Sequence, residues 1–247
     1  MENRIYSPGK LLITSEYFVL DGALALAVPT KLGQELLYSE VPDQKSNIYW
    51  TTKVEGQKWF TLDFCYKNWE IIATNDFDRA NFILGVLKNV QQLSNLVLQE
   101  EQSYVLSSNI EFPADYGLGS SSTLMNNLAE WPQIDAFHLN DISLGGSGYD
   151  VAVAQEKSAI LYQNNPREIQ KIEFKPQFSD ELILVYLNQK QDSREGIKAF
   201  RTREKSLDLK NEFSEITRKV KRCDDLNEFS ELMLLHESML SSFLNVK

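Results

Sequence analysis

The spacing of apolar residues along the chain predicts a fold that mixes strands and helices. The clearest helix is predicted over residues 78–93, where apolar side chains recur every three or four positions. These positions are Phe82, Ile83, Val86, Leu87, Val90 and Leu93. Three residues near the start of this helix could provide its N-cap, namely Asn75, Asp76 and Asp78.

Shorter apolar or alternating runs predict strands in both halves of the chain. The predicted strands are residues 4–6, 23–29, 32–41, 47–54, 58–64, 103–112, 158–162, 170–174 and 181–187. The other predicted helices are residues 124–131, 133–140, 149–156, 194–205, 207–222 and 225–244. Ser7-Pro8-Gly9-Lys10 is interpreted as a turn because a proline and a glycine adjoin in it.

This order of elements predicts an α/β (α+β) fold with two domains. The boundary is placed in the Asn164-Asn165-Pro166 loop, because the character of the chain changes there from mixed elements to long helices. The first domain then covers residues 1–165 and the second covers residues 166–247.

Composition and charge exclude several classes of protein. The chain has 247 residues and a formal net charge of −10, so it has no overall basic character with which to neutralise nucleic-acid phosphates. Its two cysteines, Cys65 and Cys223, suggest neither a disulfide framework nor a zinc site. No signal-peptide pattern and no apolar run of about 20 residues is present, so a soluble cytoplasmic protein is expected.

Candidate chemistry is concentrated in the segment from Phe112 to Thr123. A β-rich run ends at Pro113, two glycines follow one residue apart, and a row of hydroxyl residues then precedes a helical pattern. Glycines allow a ligand to approach the backbone, and a helix N-terminus offers unpaired N–H groups to an anion. The segment therefore predicts a phosphate-binding loop, although an ordinary capped turn has the same composition.

Two other segments contain residues that could take part in the same chemistry. Lys10 follows a glycine and precedes Glu16, and the glycine-rich run from residue 145 delivers Asp150 into the first turn of a helix. Each has an ordinary alternative: Lys10 and Glu16 as surface residues, Ser147 as a helix cap, and Asp150 as a partner of the helix dipole.

Other motifs do not match. Gly9-Lys10 lacks the upstream glycine and the following Ser or Thr of a P-loop, and Gly117-Leu118-Gly119 lacks the third glycine of the dinucleotide fingerprint. His138 and His236 have no catalytic or metal-binding spacing and are interpreted as surface or packing residues.

In this order, the three segments resemble the motifs of the GHMP kinases, a superfamily that includes galactokinase, homoserine kinase, mevalonate kinase and phosphomevalonate kinase. Residues 7–22 are similar to the family's first motif, and residues 113–121 match its Pro-x-x-x-Gly-Leu-Gly-Ser-Ser motif without a mismatch. Residues 146–152 resemble the segment with the catalytic aspartate. Glu16-Tyr17 and the run from Ser147 to Ala152 are most similar to phosphomevalonate kinases.

The resemblance implies an ATP- and Mg²⁺-dependent kinase that acts on a small, anionic metabolite, with phosphomevalonate or mevalonate as the first candidates. It implies that Asp150 orients the acceptor hydroxyl and that Lys10 keeps this aspartate ionised. The residues it assigns to ATP are Pro113, Gly117, Leu118, Gly119, Ser120, Ser121 and Ser122. Those it assigns to the acceptor are Lys10, Glu16, Tyr17, Ser147, Gly148 and Asp150.

The resemblance also implies that the Ser121 hydroxyl ligates Mg²⁺, with Asp135 and Asp141 as candidates for a second ligand. Two departures from the family pattern remain. Only about 22 residues separate Ser122 from Gly145, and the family's Gly-Ala-Gly-Gly motif is absent because no glycine follows Gly196.

The missing motif leaves two interpretations: a truncated chain with an incomplete α/β sandwich as its second domain, or a site that has lost a part. An incomplete domain would expose a sheet edge, which could support a homodimer. The alternative functions are therefore a catalytically impaired nucleotide-binding or regulatory homologue and an enzyme of the mevalonate diphosphate decarboxylase type.

Overall fold

The computed structural model describes residues 2–98, 102–186, 193–203 and 206–245. The chain forms two compact units. Unit 1 consists of Met1–Gly9 and Thr30–Gln155, and unit 2 consists of Lys10–Pro29 and Glu156–Lys247. The units follow packing rather than chain order, and the division into two domains at residue 165 stays a prediction.

Eight strands and seven α-helices lie within the described ranges, which confirms the mixed α/β class. The strands are β1 (Asn3–Leu12), β2 (Ala25–Val41), β3 (Asn47–Val54), β4 (Gln57–Cys65), β5 (Glu70–Thr74), β6 (Ser103–Ile110), β7 (Ile160–Gln163) and β8 (Glu168–Lys171). The helices are α1 (Phe77–Leu93), α2 (Ser120–Glu130), α3 (Ala136–Ser143), α4 (Tyr149–Glu156), α5 (Ser193–Arg201), α6 (Leu207–Arg222) and α7 (Leu226–Leu244). No helix in these ranges is both long and apolar enough to cross a bilayer.

Unit 1 is built on a sheet with the strand order β5-β4-β3-β6-β2, and β1 also pairs with β2. The pairing of β3 with β6 is parallel, whereas β6 pairs antiparallel with β2 over residues 34–41. Alternate strand residues such as Leu36, Trp50 and Leu106 are fully buried, because one face of each strand points into the core. Helix α1 buries Leu87 and Val90 in the same cluster, with its N-terminus capped by Asp76.

Unit 2 contains the first residues of β2, which pair with β7 over residues 25–27, and β7 in turn pairs with β8. Helices α6 and α7 contribute Phe213, Ile216, Val220 and Leu232 to its apolar core. One cluster includes Leu26, Ile216 and Val220, and a second consists mainly of aromatic residues around Phe18 and Phe213. In the second cluster the rings of Phe18 and Phe213 stack with centroids 4.1 Å apart.

Two predicted elements were wrong. Ser7-Pro8-Gly9-Lys10 is not a turn but lies inside the continuous strand β1. Residues 182–186 form no strand, and Leu187 lies outside the described residues. Ile183 is 84% exposed, because in the described structure no neighbouring strand supplies the hydrogen bonds that would order this apolar run as a strand.

Candidate active site

The loop between β6 and α2 has the geometry of an anion-binding turn. Tyr116 N–H donates to Pro113 O at 3.0 Å, and Gly117 and Gly119 follow with φ angles of 74° and 85°. These left-handed conformations favour glycine, since a Cβ would strain them. Gly119 is the N-cap residue of α2, and no side chain caps this helix.

The three serines Ser120, Ser121 and Ser122 lie in the first turn of α2 rather than before the helix. The first helical hydrogen bond runs from Thr123 N to Gly119 O at 2.9 Å. The preceding N–H groups, those of Ser120 to Ser122, therefore have no partner within the helix. Together with the positive end of the helix dipole, they are suited to binding phosphate oxygens.

Strand β1 lies directly against this loop at Gly9. A Cβ built on Gly9 would lie 2.9 Å from Leu118 O and 2.6 Å from Thr30 Oγ1. Gly9 is thus required for close approach of two backbone segments, not for a turn. The strand that carries Gly9 continues into Lys10, which is partly buried.

Asp150 lies next to the predicted phosphate-binding loop. Ser122 Oγ donates a hydrogen bond to Asp150 Oδ2 at 2.6 Å, and Val151 N donates to Asp150 Oδ1 at 3.1 Å. Ser122 is 6% exposed, so this contact is shielded from water on the serine side. The structure therefore brings the second and third sequence motifs together at one point within unit 1.

A buried polar network beneath α2 was not predicted. Ser7 Oγ donates to Asn127 Oδ1 at 2.7 Å and accepts from Asn126 Nδ2 at 2.8 Å. Asn127 Nδ2 donates to Gln34 O at 3.0 Å, and Thr123 Oγ1 donates to Gln34 Oε1 at 2.5 Å. These bonds fix α2 on β1 and β2, because each of these buried polar groups would be costly to leave unpaired.

The only sequence signal for this network was the polar pair Asn126-Asn127 between the apolar pairs Leu124-Met125 and Leu128-Ala129 of α2. Asparagine is a poor helix former, so two in succession in a buried helix indicate specific hydrogen bonds.

Two residues that the resemblance assigns to the phosphoryl acceptor, Glu16 and Tyr17, lie in unit 2 on a turn after β1. Glu16 is exposed, and Tyr17 is partly buried with a φ angle of 62°. The Tyr17 ring stacks on Phe200 of α5 at 5.7 Å, and a Cβ on Gly196 would lie 2.3 Å from Tyr17 Oη. Burial, and then the charge of Glu16, raise the pKa of Tyr17, so its hydroxyl stays protonated at neutral pH.

The remaining residues that the sequence resemblance assigns to the site differ in burial and in local contacts. Ser147 and Gly148 are buried immediately before α4, in unit 1 with Asp150. Asp135 is the N-cap of α3, where it accepts from Phe137 N and His138 N at 2.8 and 3.2 Å. Asp141 is exposed on the same helix.

The side-chain oxygens near the loop are of the kind that bind Mg²⁺. Among the described residues, no group of three His, Cys, Asp or Glu side chains could hold a metal ion by itself. Mg²⁺ in kinases, however, is usually held by one or two protein oxygens together with substrate phosphates and water. The exposed Ser121 hydroxyl and the Asp150 carboxylate are oxygen donors of the required kind.

Comparison with known proteins gives a clear answer about the fold. No family model and no curated protein matches the chain. Mevalonate kinase from Methanococcus jannaschii matches with a TM-score of 0.68 at 17% identity, over 99% of this chain and 80% of that one. L. major mevalonate kinase in complex with R-mevalonate matches with a TM-score of 0.70 at 14% identity, over 98% and 76%.

A third match is Streptococcus pneumoniae phosphomevalonate kinase in complex with phosphomevalonate and AMPPNP. Its TM-score is 0.63 at 13% identity, over 98% of this chain and 80% of that one. All three proteins belong to the GHMP kinase superfamily. This chain has the GHMP kinase fold.

The GHMP kinase fold agrees with the resemblance found in the sequence motifs. Mevalonate diphosphate decarboxylases and a galactokinase have the same fold, so the fold includes both kinases and a decarboxylase. At these identities the likeness establishes the architecture, and the activity has to be argued from the site.

Proposed function

We propose that the chain is an ATP-dependent small-molecule kinase of the GHMP type. It transfers the γ-phosphoryl group of ATP to a hydroxyl or phosphate of a small anionic metabolite, with phosphomevalonate or mevalonate as the first candidates. The observation that carries the proposal is the 2.6 Å hydrogen bond from Ser122 to Asp150, because it joins an anion-binding helix terminus to a carboxylate that can act on an acceptor.

ATP is proposed to bind with its phosphates at the N-terminus of α2. Gly117, Leu118 and Gly119 would supply a close backbone approach, with Pro113 closing the turn before them. The N–H groups of Ser120, Ser121 and Ser122 would donate to phosphate oxygens. Mg²⁺ bound with ATP would neutralise phosphate charge, with the Ser121 hydroxyl as its protein ligand.

With mevalonate, Asp150 is proposed to orient the acceptor hydroxyl and to receive its proton. With phosphomevalonate, whose accepting phosphate is already ionised at neutral pH, no proton is transferred and Asp150 is proposed to act in positioning only. The acceptor oxygen then forms a bond to the γ-phosphorus, the bond from that phosphorus to the bridging oxygen breaks, and ADP leaves. Ser122 holds one carboxylate oxygen of Asp150. Because phosphoryl transfer depends mostly on positioning and electrostatics, this fixed orientation is a substantial part of the mechanism.

Lys10 is proposed to stabilise negative charge on the transferred group and to keep Asp150 ionised. Glu16, Tyr17, Ser147 and Gly148 are proposed to contact the acceptor. The similarity of Glu16-Tyr17 and of the segment around Asp150 to phosphomevalonate kinases favours phosphomevalonate over mevalonate. The S. pneumoniae enzyme of this type was solved with phosphomevalonate and AMPPNP bound.

The test combines two measurements on the wild-type chain. Isothermal titration with ATP and Mg²⁺ measures nucleotide binding, and ADP release is followed with mevalonate, phosphomevalonate and mevalonate diphosphate. ADP release with one of the first two, without CO₂, supports the kinase. Release of CO₂ from the diphosphate would instead identify a decarboxylase, and ATP binding without turnover would identify a regulatory homologue.

A further inference from the structure

His236 of α7 makes a specific contact that the proposed mechanism does not yet use. The imidazole is 6% exposed, and its Nε2 accepts a hydrogen bond from the backbone N–H of Ser15 at 2.8 Å. Both residues belong to unit 2, although 221 positions separate them in sequence. The ring also packs edge-on against Phe213, with centroids 5.0 Å apart.

The chemistry of the contact requires a neutral imidazole. An imidazole nitrogen can accept from an N–H only when it carries no proton, so the proton of His236 lies on Nδ1. Burial lowers the pKa of His236 from 6.5 to about 4, which keeps the ring neutral throughout the usual assay range. The contact therefore persists under conditions in which an exposed histidine would already be charged.

The segment held by this contact has an uncommon backbone conformation. Ser15 and Tyr17 have positive φ angles of 64° and 62°, which non-glycine residues seldom adopt. Such a conformation persists only where the surroundings determine it. Glu16, which is assigned to the acceptor, lies between these two residues.

Helix α6 supports the same segment with hydroxyl groups. Thr217 Oγ1 lies 2.7 Å from Thr14 Oγ1 and donates to Leu24 O at 2.8 Å. Ser15 Oγ also donates to Leu24 O, at 2.6 Å. These bonds fix the side chains of Thr14 and Ser15, whereas His236 binds the backbone N–H of Ser15 itself.

We propose that His236 is a positioning residue for the phosphoryl acceptor: its Nε2 holds the Ser15–Tyr17 segment in the conformation that presents Glu16 and Tyr17 to the substrate. This inference rests on the proposed function, since it takes these two residues to be the acceptor contacts. It predicts an effect on the acceptor and none on ATP, whose proposed contacts lie in unit 1. Replacing a histidine with a purely structural role would change the stability of the chain, but it would not change the KM for one substrate more than the KM for the other.

The kinetic test compares His236→Leu, which removes the acceptor atom, with His236→Gln, whose side-chain oxygen reaches to about the position of Nε2. We expect His236→Leu to raise the KM for phosphomevalonate about tenfold, the equivalent of one hydrogen bond, and to leave the KM for ATP within about twofold. His236→Gln should restore most of the loss. His138→Leu is the matched control, because His138 is the only other histidine and is exposed.

Circular dichroism and thermal melting establish that each variant is folded. If His236→Leu is unfolded at the assay temperature, His236→Asn takes its place, since its side chain is polar but too short to reach Ser15 N. An unchanged KM for the acceptor in the folded variant, or equal changes in the KM for both substrates, would overturn the positioning role.

A spectroscopic test does not depend on activity. The ¹⁵N chemical shifts of the two imidazoles, assigned with His138→Leu, should show His236 as the neutral tautomer with its proton on Nδ1, and a proton on Nε2 would overturn the inference. If the wild type and His138→Leu turn over no acceptor, the proposed function fails. The positioning role then fails with it, even if His236 has the expected tautomer. An active wild type with an unaffected His236→Leu overturns the inference alone.

Discussion

Asp150 is the residue on which the proposed chemistry depends most directly. Asp150→Asn keeps the shape and the ability to accept from Ser122, but removes the negative charge and the proton acceptor. With mevalonate as the acceptor, we expect kcat to fall by about 10²–10⁴ while the Kd for ATP changes by less than about threefold, because general-base catalysis contributes at this level. Stopped-flow or coupled ADP assays and isothermal titration measure the two quantities.

Asp78→Asn provides a matched control for this variant. Asp78 is also an acidic residue in the first turn of a helix, but it is exposed on α1. The change there should leave kcat unaltered. Equal losses of turnover and of ATP affinity in Asp150→Asn would show that Asp150 stabilises the loop and does not act on the acceptor.

His236 makes a second prediction at the residue scale, this time for stability. In the unfolded chain its imidazole titrates near pH 6.5, whereas burial lowers its pKa to about 4 in the folded chain. Between these values the unfolded state binds more protons, so the free energy of unfolding falls as the pH decreases from 6.5 towards 4. Above pH 6.5 the effect is absent. The full loss is about 3 kcal/mol.

Urea unfolding of wild type and of His236→Gln at pH 7.5, 5.5 and 4.5 tests this sign. The variant lacks the titrating group, so the wild-type free energy of unfolding should decrease relative to that of the variant as the pH falls. All other ionisable groups are common to the two chains. Parallel pH profiles would show that His236 is not held neutral by burial.

At the scale of elements, the contact of β1 with the phosphate-binding loop can be tested at Gly9. A Cβ there would meet Leu118 O at 2.9 Å, so Gly9→Ala should displace the loop. Overpacking of this kind typically costs about 1–3 kcal/mol, and we expect a comparable loss of stability together with weaker ATP binding. Urea unfolding and ATP titration measure the two effects.

Gly85→Ala on α1 is the control for Gly9→Ala, because the added Cβ has free space there. Gly85 is exposed in the middle of the helix, and a Cβ would meet no atom within 4 Å. Alanine should therefore stabilise the chain by about 0.5–1 kcal/mol without changing ATP affinity. If both glycine variants weakened ATP binding equally, close approach at Gly9 would not explain the loss.

Local patterns predicted those elements whose stability is encoded locally. Helix α1 follows directly from the spacing of its apolar residues, and Asp76, one of the three suggested N-cap residues, accepts from Arg79 N. The loop with Gly117 and Gly119 between β6 and α2 was also predicted, because the positive φ angles of such a loop depend on the glycines themselves. Its binding of phosphate stays a prediction. The glycine-rich run before α4 likewise indicated where this helix begins, so the position of Asp150 in its first turn could be predicted.

Features that depend on distant partners could not be predicted. Pro8-Gly9 indicated a turn, but Gly9 lies in β1 because this strand pairs with β2. The absence of a Cβ there lets Leu118, far along the chain, approach it. Residues 182–186 have the composition of a strand, yet pairing needs a neighbouring strand and composition does not supply one. His236 was interpreted as a surface or packing residue, since its hydrogen-bond partner is a backbone N–H 221 positions away.

At the scale of the whole molecule, the proposed function assigns the two ligands to different segments of the chain. ATP is assigned to the loop from Gly117 to Ser122, and the acceptor contacts include Glu16 and Tyr17. Ligand binding to the folded chain stabilises it in proportion to the logarithm of one plus the ratio of the free ligand concentration to the Kd, by about 2.7 kcal/mol when the free ligand is at 100 times the Kd. Local protection from amide exchange should show where each ligand acts.

Hydrogen exchange with and without each ligand tests this assignment. We expect AMPPNP with Mg²⁺ to slow exchange at Ser120 to Ser122, and phosphomevalonate to slow exchange at Ser15 to Tyr17, because each ligand buries or orders the backbone it contacts. The control region is a cavity of about 370 Å³ in unit 2, lined by Leu24, Leu161, Gln163, Glu168, Ile169 and Gln170. Protection there by phosphomevalonate, with none at Ser15 to Tyr17, would place the acceptor outside the proposed site and leave Asp150 without a substrate to orient.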